Sequence, residues 1–384
     1  MARKLVRRRR PRVIVVAWSE RISRGVLDYL REQQEQPFQA MFEGHGFLND
    51  LGGFSDAGLI VPAWDRAQVA PLLRLRVPVI NVSNKLGNTG IPSVIPDDLA
   101  VGRMAAEHLV EQGFHNLGYL GHRGAVFTKQ RGAGFLSVAR RAGCTYDQLI
   151  LPSRWHRGPA IADSQARISE WLAGLPKPVG VMTVTDSLAR PVVEECEALG
   201  IAIPENVALI GVDNYDLYCQ TLIPPLSSVD TSLRLVGYKA AELMASLLRG
   251  EPAPAEPILV PPRGVERRQS TDVLAVEDPL VAEAVRFIRD HAHEHVNVQD
   301  FVQGKATSRR SLERRFAKIF GRSPHDELVR VRLDRVRSLL VDTALSPEQI
   351  SERCGFAYRT TMYAVFRKAT GMSPGEYRKR FGRR

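Results

Sequence analysis

From residue 13 to about residue 249, short apolar runs alternate with stretches whose apolar residues recur at helical spacing. The apolar runs predict strands at 13–18, 57–62, 77–83, 93–96, 116–121, 179–185 and 207–212. The intervening and following stretches predict helices, among them 22–34, 99–112, 129–142, 160–173, 187–199 and 233–249. Apolar strands separated by helices are typical of parallel sheets covered on both faces. The pattern predicts a doubly wound α/β body, large enough for two lobes.

The last part of the chain carries a pattern that occurs twice. The segment SRRSLERRFAKIFGRSP at 308–324 aligns with YRTTMYAVFRKATGMSP at 358–374 at a constant offset of 50 residues. Phe316 aligns with Phe366, and the glycine and the Ser-Pro pair that follow also align. A repeat at a fixed period indicates one supersecondary unit that is used twice.

Each copy is predicted to be a helix that ends at glycine, with Ser-Pro starting the next helix. A short helix is predicted ahead of each copy, at 298–303 and 347–353, with tight turns at Gly304 and Gly355. A helix, a short turn and a second helix with a basic outer face are typical of a helix-turn-helix. The alternative is a structural helical bundle whose charged face is only solvated.

The net charge of +11 is unevenly distributed along the chain. Residues 1–12 carry +7, residues 297–384 carry +11, and residues 13–296 carry −7. A basic end on an acidic body favours a polyanionic partner at that end. The first twelve residues are predicted to be a disordered basic arm, which either contacts DNA phosphates or only aids solubility.

The run from Ile350 through Gly355-Phe356 and Phe366 to Tyr377-Arg378 resembles the AraC/XylS family of transcription factors. The resemblance covers about residues 281–384 and implies two helix-turn-helix units joined by a long helix. One departure is Val302, where the family usually has a small residue. The exposed residues of the two recognition helices are the candidate DNA contacts: Arg309, Arg310, Ser311, Arg314, Arg315, Arg359, Thr360, Thr361, Tyr363 and Arg367.

Polar residues follow several of the predicted strands, and in open parallel sheets ligands bind at the carboxyl ends of the strands. Carboxylates there accept pairs of hydrogen bonds from neighbouring hydroxyls, and arginine supplies donors, which suits a small neutral polyol. Tryptophans could add an apolar face, although they lie in protein cores more often. The candidate ligand residues are Glu20, Arg21, Asp97, Arg131, Trp155, Thr185, Asp186 and Asp213, and Asp98 follows the same strand as Asp97. Asp186 could instead be only a helix N-cap.

The segment at 179–230 contains TD, PENVALIGVDN and PPLSSVD, and it resembles the sugar-sensing domain of the LacI/GalR family. The resemblance implies a periplasmic-binding-protein-like fold. It also implies that Arg131, the pair Thr185-Asp186 and Asp213 face sugar hydroxyls. The first sixty residues match this family less well, so Glu20 and Arg21 rest on their place after a strand.

The two resemblances together imply a sugar-responsive transcription regulator with four parts. The expected parts are a basic arm (1–12), a sugar-sensing domain (13–268), a linker (269–280) and a DNA-binding domain (281–384). The expected function is D-xylose-responsive activation of pentose-utilisation genes. A sugar-responsive repressor and a regulator of a non-pentose ligand are the alternatives. The expected partners are an operator DNA, the sugar, a second copy of the chain and RNA polymerase.

Other function classes fit the sequence less well. An enzyme is not expected, because no Walker loop, dinucleotide-binding glycine turn or metal-spaced cluster is visible, and no cofactor or metal is expected. A transport binding protein is disfavoured because the apolar run at 13–18 is too short for the core of a signal peptide. No apolar run approaches the roughly 20 residues of a membrane span. A cytoplasmic location is therefore expected, without membrane contact.

Overall fold

The computed structural model describes residues 11–49, 51, 57–272, 278–303, 305 and 307–381. Most of the predicted basic arm, the turn at Gly304 and part of the predicted linker lie outside the described residues. The chain divides into two compact units. One holds residues up to Glu107 and from Asn116 to Asp272, and the other holds His108–His115 together with the chain after 272.

The strands of the first unit are β1 Arg12–Val16, β2 Gln39–Glu43, β3 Ala57–Val61, β4 Val79–Asn81, β5 Val94–Pro96, β6 Asn116–His122, β7 Thr145–Leu151, β8 Val179–Thr183, β9 Val207–Val212, β10 Ser227–Asp230, β11 Ile258–Val260 and β12 Gly264–Glu266. Its helices are α1 Glu20–Glu32, α2 Arg66–Arg74, α3 Asp98–Glu111, α4 Val126–Arg141, α5 Ala160–Gly174, α6 Asp186–Ala198, α7 Asp216–Cys219 and α8 Leu233–Leu248, the last turn of α3 belonging to the second unit. Short 3-10 turns lie at His45–Asn49 and Gln269–Thr271.

Two sheets form the first unit. One has the strand order β2-β1-β3-β4, and all its pairs are parallel. The other has the order β12-β10-β9-β8-β6-β7 and is parallel except for β12. The pair β11-β5 extends the first sheet through a bridge between Asn81 and Ser93. This confirms the predicted α/β body with parallel sheets in two lobes.

The sequence pattern missed strands where they carry polar residues. β2 and β7 lie at sheet edges, and all but one of their residues are exposed or only partly buried. Edge strands need no continuous apolar run, because one side faces solvent. β10 is fully buried, but its sequence SSVD is mostly polar. Its serines are hydrogen-bonded within the unit. Because these buried positions are polar, the segment has no apolar run that would predict a strand.

Helices α3 and α4 cross in backbone contact. A Cβ added to Gly102 would lie 1.9 Å from the carbonyl oxygen of Arg131. One added to Gly134 would lie 2.1 Å from the carbonyl oxygen of Leu99. Only glycine permits this approach at both positions. The crossing brings Asp98, at the start of α3, against the side chain of Arg131 on α4.

The second unit contains a run of helices after residue 277. They are α9 Pro279–His291, α10 Val298–Val302, α11 Arg309–Phe320, α12 Pro324–Asp342, α13 Pro347–Arg353, α14 Arg359–Thr370 and α15 Pro374–Phe381. α10 with α11 and α13 with α14 are the two predicted helix-turn-helix pairs. Gly321 and Gly371 end the recognition helices with positive φ angles of 65° and 73°, as predicted.

Each helix-turn-helix pair has its own apolar core. Phe301, Leu312 and Phe316 belong to the first core, and Ile350 and Phe366 belong to the second. The long helix α12 contributes to both cores. The Ser-Pro starts are confirmed, because the Ser323 hydroxyl accepts the Asp326 N–H and the Ser373 hydroxyl accepts the Glu376 N–H, each at 3.2 Å. Val302 is buried in the first core, so its larger side chain is accommodated there.

Candidate functional sites

Arg131 lies at the centre of a buried polar cluster at the carboxyl ends of the strands. Its Nε donates to Asp98 Oδ1 at 2.7 Å, and its Nη1 donates to the carbonyl oxygen of Val184, just beyond β8, at 2.6 Å. Its Nη2 lies 3.5 Å from Asp213 Oδ1. The arginine side chain is 5% exposed, so these contacts form away from bulk water. The guanidinium is thus fixed in a single orientation.

Asp213 follows β9 on a turn with unusual backbone geometry. Its φ is 97° and that of Asn214 is 49°, a left-handed region that non-glycine residues rarely adopt. The Thr231 hydroxyl donates to Asp213 Oδ1 at 3.3 Å, and the Asn214 N–H donates to the Ser228 hydroxyl at 2.9 Å. These contacts stabilise a strained turn, and strain of this kind is often found at functional sites.

Arg21 joins the cluster from the start of α1. Its Nη1 donates to the carbonyl oxygen of Asp213 at 2.7 Å, and its Nη2 donates to Asp230 Oδ2 at 2.5 Å. Asp230 also accepts the Ser232 N–H at 2.9 Å. Arg21 follows β1 of one sheet, whereas Asp213 follows β9 of the other, so this arginine links the two lobes.

The cluster perturbs the pKa values of its members. Burial raises the pKa of Asp213, and nearby Arg131 opposes the rise. Burial alone would lower the pKa of Arg131, but Asp98 and Asp213 outweigh it, and the net pKa lies above the ordinary value. Buried groups of opposite charge that converge at strand ends are typical of a ligand site.

Asp186 stabilises the turn that carries Asp213 through two hydrogen bonds. Its Oδ1 accepts the Ser228 hydroxyl at 2.6 Å, and its Oδ2 accepts the Tyr215 N–H at 2.7 Å. Burial raises its pKa to about 7, and the charge on Asp213 adds to the rise. Both oxygens are therefore engaged within the protein. A direct role of Asp186 in binding a ligand stays a prediction.

Among the paired acids at the start of α3, the residue in the cluster is Asp98. Asp98 is 2% exposed, and its Oδ2 accepts an N–H of Asn84 at 2.7 Å. The candidate from the sequence, Asp97, caps the helix by accepting the Ala100 N–H at 2.9 Å. Asp97 and Asp98 both follow β5, so the sequence pattern does not distinguish them. The position at which α3 begins decides which of the two faces Arg131. Asp230, at the end of the PPLSSVD motif, was also missed.

Three other sequence candidates have contacts outside the Arg131 cluster. The exposed Glu20 carboxylate pairs with Arg24 at 2.8 Å. The Thr185 hydroxyl lies 3.0 Å from the Ser187 hydroxyl at the start of α6. The Trp155 ring contacts His156 with a centroid separation of 5.2 Å, in the loop after β7. Their assignment to a ligand stays a prediction.

The outer face of α11 is basic and largely exposed. Arg309 donates to Glu313 at 2.7 Å, and Arg315 donates to Asp278 at 3.2 Å. Within the described part of the chain, Arg310 and Arg314 are exposed and have no ion-pair partner. These two arginines are therefore free to meet phosphates or base edges.

The outer face of α14 carries fewer charges. Arg359 is hydrogen-bonded to Glu348 on α13, and its guanidinium lies 5.8 Å from the centre of the Tyr363 ring. Thr360, Thr361 and Arg367 are exposed on this helix, and Tyr363 is half-buried. The equivalent arginines of the two units, Arg309 and Arg359, thus both have an acidic partner.

Two family models match the chain. Residues 106–271 match the periplasmic binding protein-like domain, and residues 305–380 match a helix-turn-helix domain. The chain is 32% identical over 380 residues to the xylose operon regulatory protein of Escherichia coli strain K12, covering 94% of each chain. The chain belongs to the xylose operon regulator family.

A second relative and a solved structure agree with this family membership. The xylose operon regulatory protein of Haemophilus influenzae is 30% identical over 375 residues, covering 94% of this chain and 95% of that protein. A solved structure of the xylose-binding transcription activator xylR is 30% identical, with a TM-score of 0.60, and covers 98% of this chain and 99% of its own. The resemblances to the AraC/XylS and LacI/GalR families are confirmed, and the chain is a DNA-binding transcription regulator. In the described ranges, no helix is both long enough and apolar enough to cross a membrane.

Proposed function

We propose that this chain activates transcription of pentose-utilisation genes in response to D-xylose. Its relatives in two bacteria are xylose operon regulatory proteins, and the similar solved structure is that of a xylose-binding transcription activator. The observation that carries the proposal is the polar cluster of Asp98, Arg131 and Asp213 in a chain that also holds two helix-turn-helix units.

The cluster has the chemistry that a pentose requires. Asp98, Asp213 and Asp230 offer carboxylate oxygens that accept hydrogen bonds from sugar hydroxyls. Arg131 and Arg21 offer N–H groups to hydroxyl oxygens. Each carboxylate is held by an arginine, so a sugar meets fixed acceptors and donors rather than free charges. A neutral polyol is the ligand class that fits a cluster whose carboxylates are each paired with an arginine.

The DNA-binding end is proposed to use α11 and α14 as recognition helices. Arginine bonded to guanine O6 and N7 is the commonest specific contact in the major groove. Arg310 and Arg314 would supply most of the affinity of the first helix. A homodimer would present two such ends to two half-sites, and an activator would contact RNA polymerase. The cytoplasmic location, the domain bounds at 13–268 and 281–384 and the absence of enzymatic activity stay predictions.

The test is a thermal-shift panel of pentoses and hexoses on the full chain. A sugar that binds only the folded state stabilises it by about 2.7 kcal/mol at a hundredfold excess over Kd. We expect D-xylose to raise the melting temperature, and the variant Asp213→Asn to lose most of this rise. The control is Glu194→Gln, which removes an exposed partner of Arg190. If no sugar raises the melting temperature, the proposal is contradicted. If only hexoses raise it, the pentose assignment is excluded.

The sign of regulation needs a separate measurement. A reporter gene behind the DNA sequence selected by this protein should be transcribed more strongly when D-xylose is added. Weaker transcription with the sugar would show a repressor instead.

A further inference from the structure

Helix α3 is unusual because its two ends belong to different units. Asp98 at its first residue is bonded to Arg131 in the ligand cluster. Its last turn, from His108 onward, is grouped with the second unit. The helix is continuous from Asp98 to Glu111, which corresponds to roughly 20 Å at 1.5 Å per residue. One continuous helix therefore carries both a ligand-cluster residue and residues of the second unit.

Glu111, at the end of α3, is bonded within the second unit to Arg330 on α12. Its Oε2 lies 2.6 Å from Arg330 Nη1, and the two side chains are 23% and 18% exposed. Burial raises the pKa of Glu111 to about 7, and Arg330 opposes the rise. A partly buried carboxylate with a raised pKa depends on its partner, because removal of one member leaves the other unpaired.

Arg330 is fixed by a network on its own helix. Its Nε and Nη2 donate to the two oxygens of Glu327 at 2.9 Å and 2.7 Å. Its Nη1 donates to Asp334 at 3.0 Å. Glu327 is also paired with Arg322, and Asp334 is also paired with Arg337. The guanidinium therefore cannot follow Glu111 without α12, and a displacement of α3 would act on the whole helix.

A second contact lies one residue further along the chain. Gln112, which is 2% exposed, accepts a hydrogen bond from Arg289 on α9. The end of α3 is thus connected to two helices of the second unit. α12 is the helix that enters both helix-turn-helix cores, through Leu328 in the first and Val336 in the second. Moving α12 relative to α9 would change the distance between the two recognition helices, α11 and α14.

We propose that α3 transmits the ligand signal, with Glu111 and Gln112 as positioning residues for the DNA-binding unit. The inference rests on the proposed sugar site, because the signal begins where a ligand engages Asp98 and Arg131. A ligand that shifts the start of α3 shifts Glu111 with it, and Glu111 repositions α12 through Arg330. Coupling of this kind is a difference in DNA affinity between the two ligand states.

The test compares Glu111→Gln with wild type in the full chain. The DNA is the sequence that the wild-type protein selects from a random pool with D-xylose present. We measure the affinity for this DNA with and without D-xylose, and the affinity for D-xylose alone. Allosteric coupling factors are typically about 5- to 150-fold. We expect the sugar-dependent ratio of DNA affinities to fall towards one in Glu111→Gln, while its D-xylose affinity stays within about twofold of wild type.

The matched control is Glu107→Gln on the same helix, one turn earlier. Glu107 is exposed and pairs with Arg141 on α4, so its removal should leave the ratio unchanged. If Glu111→Gln does not fold, Gln112→Ala replaces it, and the same loss of coupling is expected. A variant that binds DNA more weakly but keeps the full ratio would show a merely structural role and overturn the inference.

The outcomes separate this inference from the proposed function. A wild-type protein whose DNA affinity does not depend on any pentose contradicts the proposed function, and the inference fails with it. A wild-type protein that responds to D-xylose, together with a Glu111→Gln variant that responds equally, contradicts the inference alone.

Discussion

Gly211 lies so close to Asp186 that a Cβ on this glycine would be 2.2 Å from Asp186 Oδ1. The carboxylate cannot retreat freely, because Ser228 and the Tyr215 N–H hold its two oxygens. The glycine in β9, two residues before Asp213, is therefore required for Asp186 to support the Asp213 turn.

Gly211→Ala should destabilise the sensor by about 1–3 kcal/mol, as overpacking of a core does. It should also weaken sugar binding, because a displaced Asp186 no longer holds the turn that carries Asp213. Urea unfolding and a sugar titration measure the two effects. The control is Gly264→Ala in β12, where a Cβ would meet nothing within 4 Å. Equal effects of the two substitutions would show that the contact with Asp186 is unimportant.

Asp186 should make stability depend on pH. Its pKa is raised in the folded protein from 3.8 to about 7. Its contribution to the free energy of unfolding is therefore complete below about pH 4 and is lost as the pH rises through 7, at up to roughly 1.4 kcal/mol per unit. Asp186→Asn cannot ionise and should lose less stability between pH 5 and pH 8 than wild type. Urea midpoints at both pH values test this, and parallel losses would contradict it.

Arg314→Ala should weaken DNA binding more than Arg359→Ala does. Arg314 is exposed and has no ion-pair partner in the described ranges, whereas Arg359 must leave Glu348 before it can contact DNA. Each lost phosphate contact makes the negative slope of log affinity against log salt shallower by about 0.9. Affinities and salt slopes for both variants, measured on one DNA fragment, test the ranking. A larger loss for Arg359→Ala would show that the second recognition helix dominates.

Glu348→Gln should strengthen DNA binding through the second unit. The substitution removes the carboxylate that holds Arg359 and also removes a negative charge near the phosphates. The expected gain is a fewfold, because exposed ion pairs contribute only about 0–1 kcal/mol. Glu352→Gln on the same helix removes an equal charge from an exposed position without an ion-pair partner among the described residues. If both variants gain equally, the effect is general electrostatics rather than release of Arg359.

The sequence predicted the fold wherever structure depends on local pattern. The central strands β8 and β9 are continuous apolar runs, and both helix-turn-helix units follow from repeated Gly and Ser-Pro signals. Edge strands such as β2 were missed, because solvent on one side removes the need for apolar residues. These failures are physical, since no local signal marks an edge.

The ligand cluster was only partly predictable. Asp213 follows from its place at the end of β9 and from the family resemblance, and Arg131, inside α4, follows from the resemblance. The choice of Asp98 over Asp97 depends on the start of α3, which a sequence fixes only to within a few residues. Asp230 enters the cluster through Arg21, a contact between residues 209 positions apart that no local pattern encodes.

The backbone contact of α3 with α4 at Gly102 and Gly134 has a consequence for selectivity. Because the two helices are locked together, the Asp98–Arg131 pair is preorganised when the chain folds. The side-chain entropy of that pair is lost during folding rather than during binding, which favours affinity for a ligand that matches it. A sugar epimer with one misplaced hydroxyl finds no freedom in the pair to adjust. Discrimination between epimers would then depend on the absence of a side chain at Gly102 and Gly134, where a hydrogen atom takes the place of the Cβ.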